Sequence, residues 1–185
     1  KIELIFNSVH WSVDKNTHKK NQVITIGELN AETYLRKGID HFIEVAKLMP
    51  EFKFIHVGKW TDSKGNPSNQ CIDLVNELAP SNVRFLGYIE KTTLDSLLSE
   101  SKVYMQLSRH EAFGVSAVEA MSYGCIPIIS NEYALPEIIG EFGLIIKDIN
   151  YDIIADKINK LFMDESIQSN NVDKIESFLE RYSFS

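Results

Sequence analysis

Glu111 and Glu119 flank the start of a helical pattern that opens at Phe113-Gly114, with seven residues between the two acids. The stretch 103–130 around them reads as a buried strand, a polar loop, a helix, a glycine stop at Gly124 and a second buried strand. A strand-loop-helix unit of this kind aims backbone N–H groups and the positive end of the helix dipole at whatever fills the loop, which makes an anion site. A carboxylate beside such a site repels phosphate. Its chemistry there is to accept hydrogen bonds from sugar or ribose hydroxyls, because an ionised carboxylate only accepts. The same spacing also allows Glu119 to lie on a solvated helix face and Glu111 to be a helix-start acid favoured by the dipole. A third charged residue, Lys37, precedes Gly38 and a second helical pattern carrying Ile39, Phe42, Ile43 and Ala46. A lysine near a helix N-terminus is electrostatically unfavourable unless it meets an anion.

The elements that must position these residues alternate regularly. Strands are predicted at 23–26, 52–56, 83–86, 103–107, 126–129 and 143–146. Residues 28–34 are predicted to be a loop, and the first helix stops at Pro50. Further helices carry Ile72, Val75, Leu78 and Ala79; Leu94, Leu97 and Leu98 behind a cap at Thr92 or Thr93; a short turn from Pro136-Glu137; and the spans 152–163 and 172–182. Strands alternating with helices, without an internal repeat, predict an α/β fold: a doubly wound parallel sheet of about six strands with helices on both faces. Gly27, Gly58, Gly87, Ser108 and Ser130 fall at the carboxyl ends of five strands, the edge where open α/β sheets bind ligands.

Composition narrows the field. The chain has 185 residues, 44% of them hydrophobic, enough for one domain with a sizeable core. A net charge of −7 argues against a general nucleic-acid binder. Cys71 and Cys125 stand far apart without metal-ligand spacing, so both are read as small buried hydrophobes in a reducing, cytoplasmic setting. No apolar run approaches the ~20 residues of a membrane span, no leader segment is visible, and the start at Lys1 suggests a piece of a longer protein.

The run from Glu111 through Phe113-Gly114 to Glu119-Ala120-Met121, followed by Gly124, Pro127 and Pro136-Glu137, resembles the signature of retaining glycosyltransferases of the GT-B fold, most closely the family 4 (group 1) type. The resemblance covers nearly the whole chain and corresponds to the C-terminal, donor-binding half, a Rossmann-like domain. It implies a division into an interdomain linker and exposed loop over 1–22 and a nucleotide-sugar-binding domain over 23–185, with an acceptor-binding N-terminal domain supplied elsewhere. By the same resemblance Glu111 is the catalytic carboxylate holding donor-sugar hydroxyls. Glu119 takes the ribose, and Lys37 with the Phe113, Gly114 and Val115 amides takes the diphosphate. Gly27, Tyr88, Ser108 and Arg109 complete the nucleotide-sugar site. It implies a UDP-, GDP- or ADP-sugar donor, a glycan, lipid or small-molecule acceptor, no metal or other cofactor, no nucleic acid, and room for peripheral membrane association of the full-length protein.

Two departures stand out. The family pattern Gly-Arg-Leu, whose arginine serves the diphosphate, is replaced by Gly27-Glu28-Leu29, leaving Arg36 and Arg109 as candidates for a second positive charge. Glu132-Tyr133-Ala134 stands where family members usually carry glycines approaching the sugar. His110 is read as a loop residue rather than a general base. The alternative functions are a nucleotide-sugar epimerase-like GT-B relative, which would lack the Phe-Gly and Ala-Met context, and a non-catalytic doubly wound binding module. A receiver-like module would need an acidic cluster at its early strand ends, and Glu28 alone does not make one.

Overall fold

Strands covered on both faces bury every side chain they carry, so they read as near-continuous apolar runs. Six strands form in the computed structural model, which describes residues 18–164 and 172–180, and the inner ones carry such runs. In chain order the elements are β1 (Lys20–Ile26), α1 (Ala31–Arg36), α2 (Ile39–Lys47), β2 (Lys53–Val57), α3 (Gln70–Leu78), β3 (Val83–Phe85), α4 (Lys91–Glu100), β4 (Ser101–Gln106), α5 (Val115–Ser122), β5 (Ile126–Ser130), α6 (Leu135–Ile139), β6 (Leu144–Ile146), α7 (Tyr151–Met163) and α8 (Val172–Leu179). The sheet order is β3-β2-β1-β4-β5-β6 and every pairing is parallel. The chain reverses its winding direction between β1 and β4, so the crevice at their carboxyl ends is the topological switch point.

Alternation along the strands divides the core into two layers. Ile24, Ile55, Tyr104 and Ile129 face α5, α6 and α8 through Ala117, Met121, Ile138 and Leu179. Val23, Phe54, Val103, Met105 and Ile128 face the opposite layer, where Phe42 and Val45 of α2 meet Ile154 and Ile158 of α7. A third cluster joins Ile39 and Ile43 to Ile72 and Val75 of α3. Cys71 and Cys125 are buried and free.

The predicted strand pattern and the observed one agree, with three local corrections. Within 28–34, predicted to be loop, begins α1: the Asn30 side chain accepts from the Glu32 and Thr33 amides, and Thr33 Oγ1 accepts from Asn30 N at 2.8 Å. That capping box stabilises a short helix with no apolar periodicity to betray it. Strand β1 begins at Lys20 rather than Val23, so the predicted boundary at 22/23 cuts into the sheet; Gln22 is buried and donates to Ser101 Oγ at 2.9 Å. Glu90, rather than Thr92 or Thr93, stands at the N-cap of α4, and its side chain makes no capping bond. The linker predicted over the first residues, and Tyr182 of the last helix, lie outside the described residues.

Candidate functional site

The site is assembled at the switch point by backbone contact. Gly38, the N-cap of α2, has φ 70°, and a Cβ there would lie 2.1 Å from the Leu107 carbonyl oxygen. Only glycine permits that approach. The loop after β4 is laced to the same turn, with Arg109 N donating to Arg36 O at 2.9 Å. Lys37 is therefore held between α1 and α2, over the end of β4, where its Nζ donates to Glu111 Oε2.

Beneath that ion pair runs a polar chain. Gln106 Nε2 donates to the same Glu111 oxygen at 2.7 Å, Gln106 Oε1 accepts from Tyr104 OH at 2.7 Å, and Tyr104 OH meets Ser116 Oγ at 2.8 Å. Tyr104 and Gln106 are two apart on β4 and so share a face. Complete burial pushes the Tyr104 phenol well above its ordinary range, keeping it a neutral hydrogen-bonding group. Glu111 is 8% exposed, and its carboxylate is fixed from the side and below before any ligand arrives. Neither Gln106 nor Tyr104 is among the expected site residues; a glutamine within an otherwise apolar strand is the signal that marks them.

Helix α5 starts beside this cluster. Gly114 is its N-cap with φ 93°, and no side chain caps it. First-turn amides have no intrahelical partner, so this end suits an anion. Phe113 packs against the core and Val115 is exposed. Glu119, one turn further on, is not on a solvated face: Lys91 Nζ lies 3.1 Å from Glu119 Oε1, also pairs with Asp95, and sits 5.4 Å from the Tyr123 ring centroid. Partial burial opposes the Lys91 charge, but the hydrogen bonds to Asp95 and Glu119 outweigh it and raise its pKa. Lys91 as a partner of Glu119 had no motif to announce it.

Both candidates for a second positive charge stand against carboxylates. Arg109 forks onto Asp40 at 2.8 and 2.6 Å, and Arg36 Nε faces Glu32 at 3.4 Å. The Asp40 carboxyl is held below its usual range: burial acts to raise it, and the Arg109 bonds prevail. Glu28 accepts from Thr61 Oγ1. Ser108 is 1% exposed, its Oγ accepting from Gln106 at 3.2 Å and its carbonyl from Ser130 Oγ at 2.6 Å, so it braces the strand ends. Gly27 lies against Gly58, where a Cβ would come within 1.8 Å of the Gly27 carbonyl oxygen. Tyr88 is 65% exposed, 5.6 Å from Lys59 Nζ.

Gly27, Glu28, Gly58, Lys59, Tyr88 and Leu94 line a cleft of about 550 Å³, which shares Lys59 and Tyr88 with a neighbouring cleft of about 890 Å³ reaching Trp60 and Leu86. Both open on the same sheet edge as Lys37, Glu111 and Glu119, though none of those three lines either. Among the described residues, no three His, Cys, Asp or Glu side chains converge to hold a metal ion, and no helix is long and apolar enough to cross a membrane.

The family model for group 1 glycosyl transferases matches residues 11–176. The chain belongs to that family. Among curated relatives it is 28% identical, over its whole length, to an uncharacterised glycosyltransferase of Methanocaldococcus jannaschii, covering 51% of that protein. It is 33% identical to the Escherichia coli O-antigen chain mannosyltransferase B over 45% of this chain and 22% of the relative. The chain thus spans about half, or less, of the curated relatives it matches. Its fold superposes on TarM with a TM-score of 0.73 at 24% identity, covering 97% of this chain and 36% of TarM. It also superposes on the C-terminal domain of a group 1 glycosyl transferase, LpcC, of Francisella tularensis, with a TM-score of 0.70 at 23% identity, covering 95% of this chain and 97% of that one. The Rossmann-like domain expected of a GT-B glycosyltransferase is the fold observed.

Proposed function

We propose that this glycosyltransferase domain binds a nucleotide-diphosphate sugar and presents it for transfer with retention at the anomeric carbon. The observation that supports this best is the Lys37–Glu111 pair at the switch point, a cation and a fixed acceptor side by side next to the open amides of α5. An ammonium carries three donors; one serves Glu111, which leaves two for phosphate oxygens. The diphosphate lies between Lys37 and the start of α5, over the Phe113, Gly114 and Val115 amides. These donors stabilise the negative charge that gathers on the departing diphosphate without a metal ion. Glu111, held by Gln106, accepts from donor-sugar hydroxyls and fixes the ring for attack. Glu119 keeps one oxygen on Lys91 and offers the other to the ribose. The clefts lined by Gly27 and Tyr88 take the base. Arg109 and Ser108 act from behind, bracing the loop.

Curated relatives include a GDP-mannose:cellobiosyl-diphosphopolyprenol α-mannosyltransferase of Xanthomonas oryzae pv. oryzae, and one similar structure, a pneumococcal O-GlcNAc transferase, holds UDP and GlcNAc. GDP-mannose and UDP-sugars are accordingly the first donors to try, with a glycan, lipid or small molecule as acceptor and the cytoplasm as the place of reaction. The test is a thermal-shift and calorimetric panel of UDP, GDP, ADP and their sugars. Binding of at least one nucleoside diphosphate, lost in Lys37→Glu, is expected. No binding by any of the three would refute the proposal.

A further inference from the structure

Tyr133 has φ 51°, and among the described residues no other non-glycine residue has a positive φ. A left-handed backbone disfavours an L-residue carrying a side chain, and persists only where the surroundings hold it. Here the loop 131–134 is fastened at both ends. Asn131 N donates to Ile146 O at 2.9 Å, Leu135 N to Glu132 O at 3.2 Å and Ile138 N to Ala134 O at 3.0 Å. Burial does not account for the tyrosine, which is 64% exposed. Its ring instead stands edge-on to His110, with centroids 4.3 Å apart and planes at 61°.

The position of this aromatic pair matters. His110 directly precedes Glu111. Leu135, two residues after Tyr133, is the side chain that a Cβ on Gly114 would strike, at 2.6 Å. The ring thus packs on the loop carrying Glu111, and the short helix that follows Tyr133 packs on the start of α5. An exposed aromatic surface next to a fixed carboxylate matches the two-sided chemistry of a pyranose, whose hydroxyls seek acceptors and whose C–H face packs on an aromatic ring. We infer that Tyr133, backed by His110, is a specificity-determining wall of the sugar subsite, packing against the apolar face of the sugar whose hydroxyls Glu111 holds. This rests on the nucleotide-sugar reading above. It assigns a reason for a strained tyrosine where a glycine would sit without strain: the ring restricts which sugar epimers lie flat.

The test compares sugar-bearing and sugar-free ligands in the 185-residue chain. Wild type, Tyr133→Phe, Tyr133→Ala and Tyr133→Gly are titrated with UDP, GDP and ADP and with UDP-glucose, UDP-N-acetylglucosamine, GDP-mannose and ADP-glucose. The Ala and Gly variants are expected to lose about tenfold in affinity for the bound nucleotide sugar and less than twofold for its nucleoside diphosphate, while Phe stays within twofold for both. Tyr133→Gly should also melt higher than wild type, which shows that the loss is not unfolding. If the sugar and sugar-free ligands weaken by the same factor, or neither weakens in the Ala and Gly variants, the wall is refuted while nucleotide binding stands. If wild type binds no nucleoside diphosphate, the nucleotide-sugar reading itself falls, and the wall with it.

Discussion

Replacing Lys37 by Met separates its two jobs. In the folded chain the Lys37 ammonium neutralises Glu111, which is 8% exposed and otherwise receives only the Gln106 amide among the bonds described. Breaking a fully buried ion pair costs about 3–5 kcal/mol. The Lys37 side chain is 21% accessible and the Gln106 bond survives, so the expected loss is about 1–2 kcal/mol. For a domain of 185 residues that lowers the melting temperature by roughly 2–8 °C. Binding is a separate quantity. Losing one charge-assisted hydrogen bond to phosphate costs about 1.5–3 kcal/mol, or roughly 10- to 150-fold in Kd. Lys37→Glu, which adds repulsion, should lose at least as much. Calorimetry with the tightest nucleoside diphosphate, run beside a thermal melt, reads both. A variant whose melting temperature falls as calculated but whose Kd stays within twofold would show that Lys37 only pins Glu111, and the phosphate assignment would be wrong.

Three further outcomes follow from the same structure. Gly38→Ala should cost about 2 kcal/mol or more, because φ 70° is unfavourable for alanine and its Cβ would press on the Leu107 carbonyl, read as a lower melting temperature with weaker diphosphate binding. Arg109→Ala should lose about 1 kcal/mol of stability from its fork on Asp40, with nucleoside-diphosphate affinity unchanged within twofold; a tenfold loss would return Arg109 to the ligand. His56 is fully buried, and burial lowers its pKa from 6.5 to about 4, opposed by the Gly27 backbone. The unfolded chain therefore binds a proton that the folded chain refuses. Stability is whole above pH 6.5 and declines as pH falls toward about 4, by up to about 3 kcal/mol. Denaturant melts across that window should show the slope, and His56→Phe should flatten it.

The sheet and the uncapped helix start at Gly114 were legible in the sequence because they are local. Apolar runs with glycine stops mark parallel strands whatever surrounds them, and Gly114 opening a helix between Glu111 and Glu119 carries its electrostatics with it. The first helix escaped because α1 is held by Asn30 and Thr33 rather than by an apolar stripe. Partners drawn from distant elements also could not be read. By residue type Arg109 is as good a phosphate candidate as Lys37, and only the packing of α2 beside the β4 loop set Asp40 under its guanidinium. Glu119 looked equally able to face solvent until α4 set Lys91 beside it. The sequence by itself determined which residues bear charge and which segments become strands and helices, since both follow from short-range chemistry. Only the tertiary structure decided which charge meets which, because an ion pair between Lys37 and Glu111, 74 residues apart, depends on how closely two backbones approach at Gly38.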